Sequence, residues 1–440
     1  MRILLLNQNW FAPEFREAGH EVISAGYNPG LDLALEIPLL HIDTVISALP
    51  NGFSPDLIIW HDNSSPIMFT GLEECDTPLI FYSVDSHHHY DLHAHIAHIF
   101  DQTYVAQSDY IEIFRSANVA AEWLPLWASR FVEASSEKSF GAAFVGNMNS
   151  TLNPDRVEFF EKLKALIPIH IKVGDYWTIF PHAEIVVNQT VKSDLNFRVF
   201  EAMMCGALLL TEHSSNGLLD LFKDGEHLVT YQKGNAEDAA QKIAYLLANV
   251  DRCREIAHAG REEILRAHLP RHRAEKILAR AKGLTRTKNS QRFLAAMVNH
   301  SMLSILLEKK ETGLDGKALV ACLRSAEQAL SAGEQIAETH CFYLITACFR
   351  YDNRLGSTAG TDLLTKFAEA FPENIALLLS RIRILLNSGK IAAAREIAAN
   401  FAGEQAEVVF TQAEALVTEY LKMTTNYRTD LYPARQTTSP

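Results

Sequence analysis

The chain has 440 residues, of which 48% are hydrophobic and 21% charged, and its formal net charge is −13. This length favours about two to four domains, and the composition excludes a disordered protein. The acidic balance, with no long basic run, argues against nucleic acid as a partner, and no apolar run approaches the roughly 20 residues that cross a bilayer.

The chain opens with a short apolar run that ends at Asn7. It is far shorter than the apolar core of a signal peptide, and no small-residue cleavage site follows, so it predicts a buried strand. Five more short apolar runs alternate with helical segments, each bounded by Gly, Pro or Asp. The predicted strands are residues 2–6, 20–25, 56–60, 78–82, 103–106 and 121–124. This pattern is typical of a parallel sheet covered by helices, and predicts a Rossmann-like domain over residues 1–135.

A second series of apolar runs predicts a second Rossmann-like domain over residues 136–285. Its predicted strands are residues 141–146, 169–173, 184–188, 207–211 and 228–231. A helix over 236–249 would pack on this domain. A further helical stretch, 253–282, would close it and is in a position to cross back to the first domain.

From about residue 286 the strand-like runs stop, and alanine, leucine and charged residues recur at helical spacing, which predicts an all-helical domain over 286–430. A 34-residue tetratricopeptide frame that ends on Pro372 places Leu344 and Tyr351 on large positions, and the next frame places Gly389 on its glycine. Ordinary amphipathic helix pairs would give similar matches, so both interpretations stay open. The tail, residues 431–440, has little apolar content and is expected to fray.

The six cysteines contain no Cys-x-x-Cys pair, and several lie in apolar surroundings. They are Cys75, Cys205, Cys253, Cys322, Cys341 and Cys348. This usage favours buried, reduced thiols and a cytoplasmic protein rather than disulfides or a zinc site.

The most informative segment runs from Asn188 to Gly206. A buried strand ends at Asn188, a polar loop follows, and a helix begins near Phe197 with Asp194 or Asn196 as its N-cap and Gly206 as its stop. The free N–H groups and positive dipole end of this helix would point into the crevice beyond the strands, where a diphosphate binds well.

Two side chains of this helix complete the predicted donor site. Arg198, in the first turn, can add a bidentate phosphate contact, and Glu201, one turn later, can accept hydrogen bonds from two ribose hydroxyls. The alternative is that Asp194 only caps the helix, that Arg198 pairs with a surface acid and that Glu201 lies on a solvated face.

The same segment carries a family resemblance. NFRVFEAMMCGALLLTE (196–212) and GLLDLFKDGEHLV (217–229) resemble the donor-domain signature of CgeB-like glycosyltransferases, which are spore-maturation-type members of the GT-B group. YSVDSH (82–87), VAQSDY (105–110), FVGN (144–147) and the segment 257–273 are further matches. The resemblance covers about residues 75–280 well and the first 74 residues loosely.

This resemblance implies an α/β fold with a GT-B-like pair of facing Rossmann domains, followed by the all-α C-terminal domain. The second Rossmann domain would bind the nucleotide sugar and the first the acceptor. Residues 173–175 would border the base. The donor-binding residues would be Gly146, Asn147, Lys192, Asp194, Asn196, Arg198 and Glu201.

One position departs from the wider group. Many retaining members carry two acids separated by seven residues, the second of which corresponds to Glu201. The first position is Ser193 here, although Asp194 is adjacent. The choice between inversion and retention therefore stays open.

The loop after the strand that ends at Tyr82 supplies the catalytic candidates, Asp85 and His87. Transfer to a hydroxyl needs a base near neutral pH or a group that stabilises developing positive charge, and both residues suit this role. The alternative is that Asp85 caps a helix and His87 is solvated. Further acceptor or cleft candidates are Asn9, His61 and Asp62.

Six histidines fall within residues 87–98, which raises the question of a metal. His93 with His95, or His95 with His98, could be ligand pairs, but the spacing matches no standard zinc pattern and no cysteine is near. GT-B enzymes generally need no metal, so we expect none, and no cofactor beyond the nucleoside-diphosphate sugar as donor substrate.

The sequence thus predicts a glycosyltransferase that moves a hexose-like unit to an acceptor hydroxyl of a protein or glycan. Its C-terminal helices would suit a polymeric acceptor, a protein partner or a second copy of the chain. One alternative is a nucleotide-sugar 2-epimerase, which would need further cleft carboxylates. Another is a non-catalytic helical-repeat scaffold. The base and the sugar of the donor are not predicted.

Overall fold

The structure is a computed structural model that describes residues 1–413, apart from 38, 51, 63, 288 and 403–406. The predicted tail, and the last part of the predicted helical domain, lie outside the described residues.

The first domain is built on parallel strands. In chain order they are β1 (Arg2–Leu6), β2 (Glu21–Gly26), β3 (Leu33–Ala34), β4 (Leu40–His41), β5 (Leu57–His61), β6 (Phe69–Thr70), β7 (Leu79–Ser83), β8 (Gln102–Val105) and β9 (Ala121–Trp123). Seven of them form one sheet in the order β3-β2-β1-β5-β7-β8-β9, and β4 pairs with β6. The six predicted strands are all present, and the two-residue strands β3, β4 and β6 are too short to produce a hydrophobic pattern.

Helices cover both faces of this sheet, so its central strands are apolar throughout their length. All five residues of β5 and of β7 are buried. The helices are α1 (Ala12–Glu17), α2 (Ile42–Ser47), α3 (Ser86–Ile96) and α4 (Ile111–Ser116).

The second domain has a five-stranded parallel sheet in the order β11-β10-β12-β13-β14. Its strands are β10 (Phe140–Val145), β11 (His170–Lys172), β12 (Ala183–Asn188), β13 (Leu208–Glu212) and β14 (Val229–Tyr231). Its helices are α5 (Pro154–Leu166), α6 (Phe197–Met204), α7 (Leu218–Leu221), α8 (Ala236–Ala248), α9 (Val250–Ala267) and α10 (Pro270–Ala281). The predicted single helix over 253–282 is therefore two helices, because Pro270 cannot continue a helix and instead begins a new one.

The two domains meet through the carboxyl ends of their sheets. Gln107, just after β8, exchanges two hydrogen bonds with the backbone of Leu195 in the second domain, at 2.7 and 3.4 Å. The Trp10 ring packs edge-on against Trp127 at 5.4 Å, and Trp127 against Phe197 at 5.1 Å. The predicted fold class, two facing Rossmann domains followed by helices, is confirmed.

Helix α10 lies on the first domain and ties the two together. Arg273 is buried and donates to the carbonyls of Pro125 and Leu126, each at 2.7 Å. Lys276 donates to the Trp123 carbonyl at 2.7 Å.

The C-terminal region is a stack of antiparallel helices, each of which packs on its neighbours in the chain. They are α11 (Gln291–Lys309), α12 (Asp315–Ser331), α13 (Glu338–Leu355), α14 (Ala359–Ala370), α15 (Ile375–Asn387) and α16 (Ile391–Ala402). The two tetratricopeptide frames fall on the pairs α13–α14 and α15–α16, and Gly389 takes φ 72° in the turn of the second pair. That the helical region belongs to the tetratricopeptide repeat class stays a prediction.

Helices α11 to α14 share one hydrophobic core with the first domain, whereas α15 and α16 pack mainly around a separate cluster that contains Ile382 and Ala398. Leu4 and Trp60 of the sheet belong to the same buried cluster as Leu294 of α11 and Leu344 of α13. The boundary near residue 286 is therefore a change of secondary structure and not a break in packing.

Two further features of the described residues concern membrane-spanning helices and disulfides. No helix in this part of the chain combines the length and apolarity that crossing a bilayer would need. The six cysteines, all of which are described, are unpaired, and five of them are buried.

Candidate functional site

The predicted donor residues gather where two neighbouring strands of the second sheet end. β10 ends at Val145, and β12 ends at Asn188. The next strand in the chain, β11, pairs with one edge of β10, whereas β12 pairs with the opposite edge. The strand order therefore reverses between β10 and β12. Ligands of open parallel sheets bind in the crevice outside such a reversal point.

Helix α6 begins beside this crevice. Its N-cap is Asn196, in extended conformation (φ −88°, ψ 167°), and no side chain of the described residues caps it. Its first N–H groups are therefore suited to an anion. Asp194, the other predicted N-cap, points inward, because its buried carboxylate accepts from Val191 N at 2.6 Å and from Asn196 Nδ2 at 3.3 Å. Asp194 shapes the loop and does not cap the helix.

Arg198, in the first turn of α6, bridges the ends of both strands. Its Nε donates to the Val145 carbonyl at 3.0 Å, and its Nη1 donates to Asn188 Oδ1 at 2.7 Å. The guanidinium lies over the Phe144 ring, 4.6 Å from its centre. Burial and the neighbouring Arg156 lower the pKa of Arg198 to about 10, so it is charged at neutral pH. The alternative in which Arg198 pairs with a surface acid is wrong.

Gly146 provides the space that this arginine occupies. A β-carbon at Gly146 would lie 2.6 Å from Arg198 Nη2 and 2.7 Å from Phe144 Cζ. Any larger residue would displace the guanidinium. The side chain of Asn147 is engaged within its own turn, where Oδ1 accepts from Asn149 N at 2.8 Å.

A second arginine, Arg156 of α5, also belongs to this site and was not predicted. Its Nε and Nη2 donate to the side chain and the carbonyl of Gln189, at 2.9 and 3.2 Å, and its Nη1 donates to the Asn147 carbonyl at 3.4 Å. It thus holds the loops that follow β10 and β12. An arginine near the start of a helix resembles a surface residue in sequence, so only the fold reveals its position.

Glu201 lies one turn after Arg198, near the end of β11. Its Oε1 accepts from Ser129 Oγ at 3.2 Å, and Ser129 Oγ lies 3.3 Å from the Tyr176 hydroxyl. Burial raises the pKa of Glu201 to about 7, against the opposing influences of Arg198 and Ser129. Glu201 is thus partly buried and hydrogen-bonded rather than on a fully solvated face. The carboxylate and two hydroxyls form a polar group that includes Tyr176, the residue that follows 173–175, the predicted border of the base.

We expect Glu201→Gln to stabilise the ligand-free protein in a pH-dependent way. The folded pKa of about 7 exceeds the ordinary value of 4.5. The folded state therefore holds a proton that the unfolded state loses between these values, and the stability of the wild type falls as pH rises through this window. The Tm difference between variant and wild type should grow from pH 4.5 to about pH 7.5 and then level off.

Thermal melts at several pH values test this expectation. Glu237→Gln is the control, because Glu237 is exposed on α8 and should show no such trend. A Tm difference for Glu201→Gln that is constant across pH would contradict the assignment.

The loop between β12 and α6 turns toward the first domain. Lys192 and Ser193 both adopt left-handed backbone angles, with φ of 51° and 64°. The Ser193 carbonyl accepts from Asn216 Nδ2 at 2.7 Å, and Ser193 Oγ accepts from Lys233. The charge of Lys192, after the larger effect of burial, helps to lower the pKa of His87. Lys192 thus faces the first-domain histidines across the cleft.

Asp85 stands at the N-cap position of α3, but its side chain does not cap that helix. Its Oδ2 accepts from Ser64 Oγ, and its backbone N–H donates to Asp62 Oδ2 at 2.8 Å. The alternative in which Asp85 serves as a helix cap is therefore wrong for its side chain. The carboxylate is half-buried at the carboxyl end of the first sheet.

Asp62 is 2% exposed, so it does not present its side chain to an acceptor as predicted. Its Oδ1 accepts from Ser64 N at 2.7 Å and lies 3.6 Å from His93 Nε2. Burial, and then the negative charge of Asp85, raise the pKa of Asp62 to about 7. Asp62 therefore holds the loop next to Asp85 through buried hydrogen bonds to the backbone.

The other first-domain candidates divide into buried and exposed groups. His87 is 6% exposed, so it is not solvated, and burial lowers its pKa to about 4 against the opposing influence of Asp85. His61 is wholly buried against Trp10, 5.2 Å between ring centres, so it does not line the cleft. Burial lowers the pKa of His61 to about 3. Asn9 is exposed just after β1.

The histidine-rich helix α3 does not assemble a metal centre among the described residues, where no three His, Cys, Asp or Glu side chains come together suitably. Instead its histidines pack. His93 Nδ1 is 2.8 Å from Ser83 Oγ, and His95 Nδ1 is 3.2 Å from Nε2 of His340 in the helical region.

Residues 127–279, which contain all of the donor-side residues above, match the family model described as glycosyl transferase-like. The second domain is glycosyl transferase-like in sequence. No curated protein matches the chain.

Solved glycosyltransferase structures resemble the chain in fold. Anabaena HepE, in complex with UDP-glucose, is 11% identical, with 64% of this chain and 100% of that chain covered and a TM-score of 0.47. The sucrose-phosphate synthase of Thermosynechococcus elongatus is 10% identical, with 64% and 98% covered and a TM-score of 0.47. A glycosyltransferase of Rickettsia africae is 11% identical, with 64% and 97% covered and a TM-score of 0.45.

Proposed function

We propose that the chain is a glycosyltransferase that moves a sugar from a nucleoside-diphosphate sugar to an acceptor hydroxyl. The observation that carries this proposal is the placement of Arg198 and Glu201 on one face of α6, at the strand-order reversal point of the glycosyl transferase-like domain. The start of α6 and Arg198 would bind the diphosphate, and Glu201, one turn further along the helix, would bind the ribose.

The donor side would act by electrostatic stabilisation. As the bond between the anomeric carbon and the diphosphate oxygen breaks, the leaving group gains negative charge. Arg198 and the first N–H groups of α6 are held in place before the reaction, so they stabilise that charge without reorganising. Arg156 would act indirectly, since it holds the loops around the crevice.

The acceptor side would act through Asp85. The acceptor oxygen forms the new bond to the anomeric carbon, and its proton passes to the Asp85 carboxylate. His87 is neutral at neutral pH, so it can exchange a hydrogen bond with a hydroxyl but carries no charge. Contacts such as Gln107 with Leu195 bring the domains together and would exclude water from the donor.

The proposal extends to the subtype, the helical extension, the metal requirement and the compartment. The motif at 196–212 supports a CgeB-like, spore-maturation type, and the helix pairs α13–α14 and α15–α16 support a tetratricopeptide-like extension that binds a protein, a glycan or a second copy. The cationic side chains at the crevice support transfer without a metal. Unpaired, buried cysteines support a reducing compartment such as the cytoplasm.

Calorimetric titration with a panel of sugar nucleotides tests the donor site. We expect one nucleotide sugar to bind, and Glu201→Ala to weaken it about 10-fold or more, which corresponds to roughly 1.4 kcal/mol. Glu237→Ala, on the exposed face of α8, should bind like the wild type. Unchanged binding and activity in Glu201→Ala would favour a non-catalytic scaffold, and conversion of the donor without an acceptor would favour an epimerase.

A further inference from the structure

The loop that follows β5 is held in a strained conformation beside the proposed catalytic carboxylate. Ser64 adopts φ 57°, in the left-handed region that a non-glycine residue rarely takes. Asp62 maintains this turn, because its buried Oδ1 accepts from Ser64 N at 2.7 Å. Strain of this kind persists only where surrounding contacts enforce it, and it is most common at functional sites.

The consequence of the turn is the position of one hydroxyl. Ser64 Oγ donates to Oδ2 of Asp85, while Asp62 Oδ2 accepts from the Asp85 backbone N–H at 2.8 Å. Asp85 is thus held at its backbone and at one carboxylate oxygen. The hydrogen bond fixes the rotation of the carboxylate and directs its second oxygen away from Ser64.

The far end of the same loop is held by the helical region. Ile67, three residues after Ser64, donates from its N–H to Asn299 Oδ1 at 2.8 Å and accepts at its carbonyl from Asn299 Nδ2 at 3.0 Å. Asn299 lies on α11 and is 1% exposed. A buried amide that satisfies both backbone groups of one residue is a specific clamp, because its side chain carries both a donor and an acceptor.

We propose that Ser64 is a positioning residue for Asp85, and that the C-terminal helices, through Asn299, hold the loop that carries Ser64. The helical region would then be part of the acceptor-side machinery, and not only a surface for partners. This inference rests on the proposed transferase function. It adds that the Ser64 hydroxyl, like Asp62, holds the catalytic carboxylate in position.

Kinetics of the full-length chain test the proposal, with the sugar nucleotide that binds in calorimetry as donor. We expect Ser64→Ala and Asn299→Leu each to lower kcat about 10-fold while the Kd of the donor is unchanged. Ser64→Gly, which relaxes the backbone but lacks the hydroxyl, should lose as much as Ser64→Ala. Ile382→Ala, in the separate core between α15 and α16, should lower Tm and leave kcat unchanged.

Double variants separate positioning from stability. Adding Ser64→Ala to Asp85→Asn, or to Asn299→Leu, should cause little further loss of kcat, because each pair acts through the same carboxylate. Full kcat in Ser64→Ala, or multiplicative losses in the double variants, would overturn the inference. Absence of donor binding or transfer in the wild type would instead refute the proposed function.

Discussion

Replacing Arg198 by alanine is expected to lower kcat/KM for sugar transfer by about 10²–10³-fold, the usual loss for a preorganised group that stabilises transition-state charge. Arg198 is charged, held by Val145 and Asn188, and lies over Gly146 at the strand-order reversal point. Steady-state kinetics with the identified donor measure this loss. Arg198→Lys should recover only part of it, because an ammonium cannot reach both strand ends with a planar fork.

The same substitution also has a structural effect. It leaves the Val145 carbonyl and Asn188 Oδ1 without their donor, at a cost of about 1–3 kcal/mol in the free energy of unfolding for each group that stays buried and unpaired. Melting curves should be recorded beside the kinetics for this reason. Arg252→Ala is the matched control, since Arg252 pairs with Glu255 on the exposed surface of α9. Wild-type kinetics for Arg198→Ala in a folded protein would contradict the donor site.

Asp85→Asn is expected to lower kcat by about 10²–10⁴-fold and to leave the Kd of the donor unchanged. An amide is nearly isosteric and can still accept the hydrogen bond from Ser64, but it cannot take the acceptor proton. The loss should therefore appear in kcat. The pKa of Asp62 should fall as well, since the negative charge of Asp85 is one of the causes that raise it.

Kinetics and calorimetry on the same protein preparation measure these two quantities. Asp91→Asn is the control, because Asp91 is exposed on the same helix and has no part in the site. An equal fall in donor affinity and in kcat would place Asp85 in donor binding. Unchanged kcat would remove it from the mechanism and shift attention to His87.

The local elements of this chain follow from short-range patterns. Apart from β3, the strands of both sheets are short apolar runs between turn residues, and a polar loop, an N-cap residue and the stop at Gly206 predict helix α6. The positions of Arg198 and Glu201 one turn apart follow from helical periodicity alone, which is why the donor side was the most predictable part of the site.

Predictions of site residues from sequence were wrong or incomplete where contacts link distant parts of the chain. Asp62 and His61 have the residue types of a cleft, but the packing of β5 against its neighbours buries both side chains. Arg156 lies 42 positions before Arg198, yet both guanidiniums meet at the Phe144 ring. No local pattern reports such a meeting, because it depends on how helices pack on the sheet.

The sequence by itself determined the alternation of the longer strands with helices, the two-domain α/β class and the donor segment, because propensity, hydrophobic period and turn chemistry act over a few residues. Only the tertiary structure decided that helices α11 to α14 share the core of the first domain and that Asn299 clamps a loop 232 residues earlier in the chain. Burial and hydrogen bonding between distant segments depend on the packed arrangement, which no local window contains.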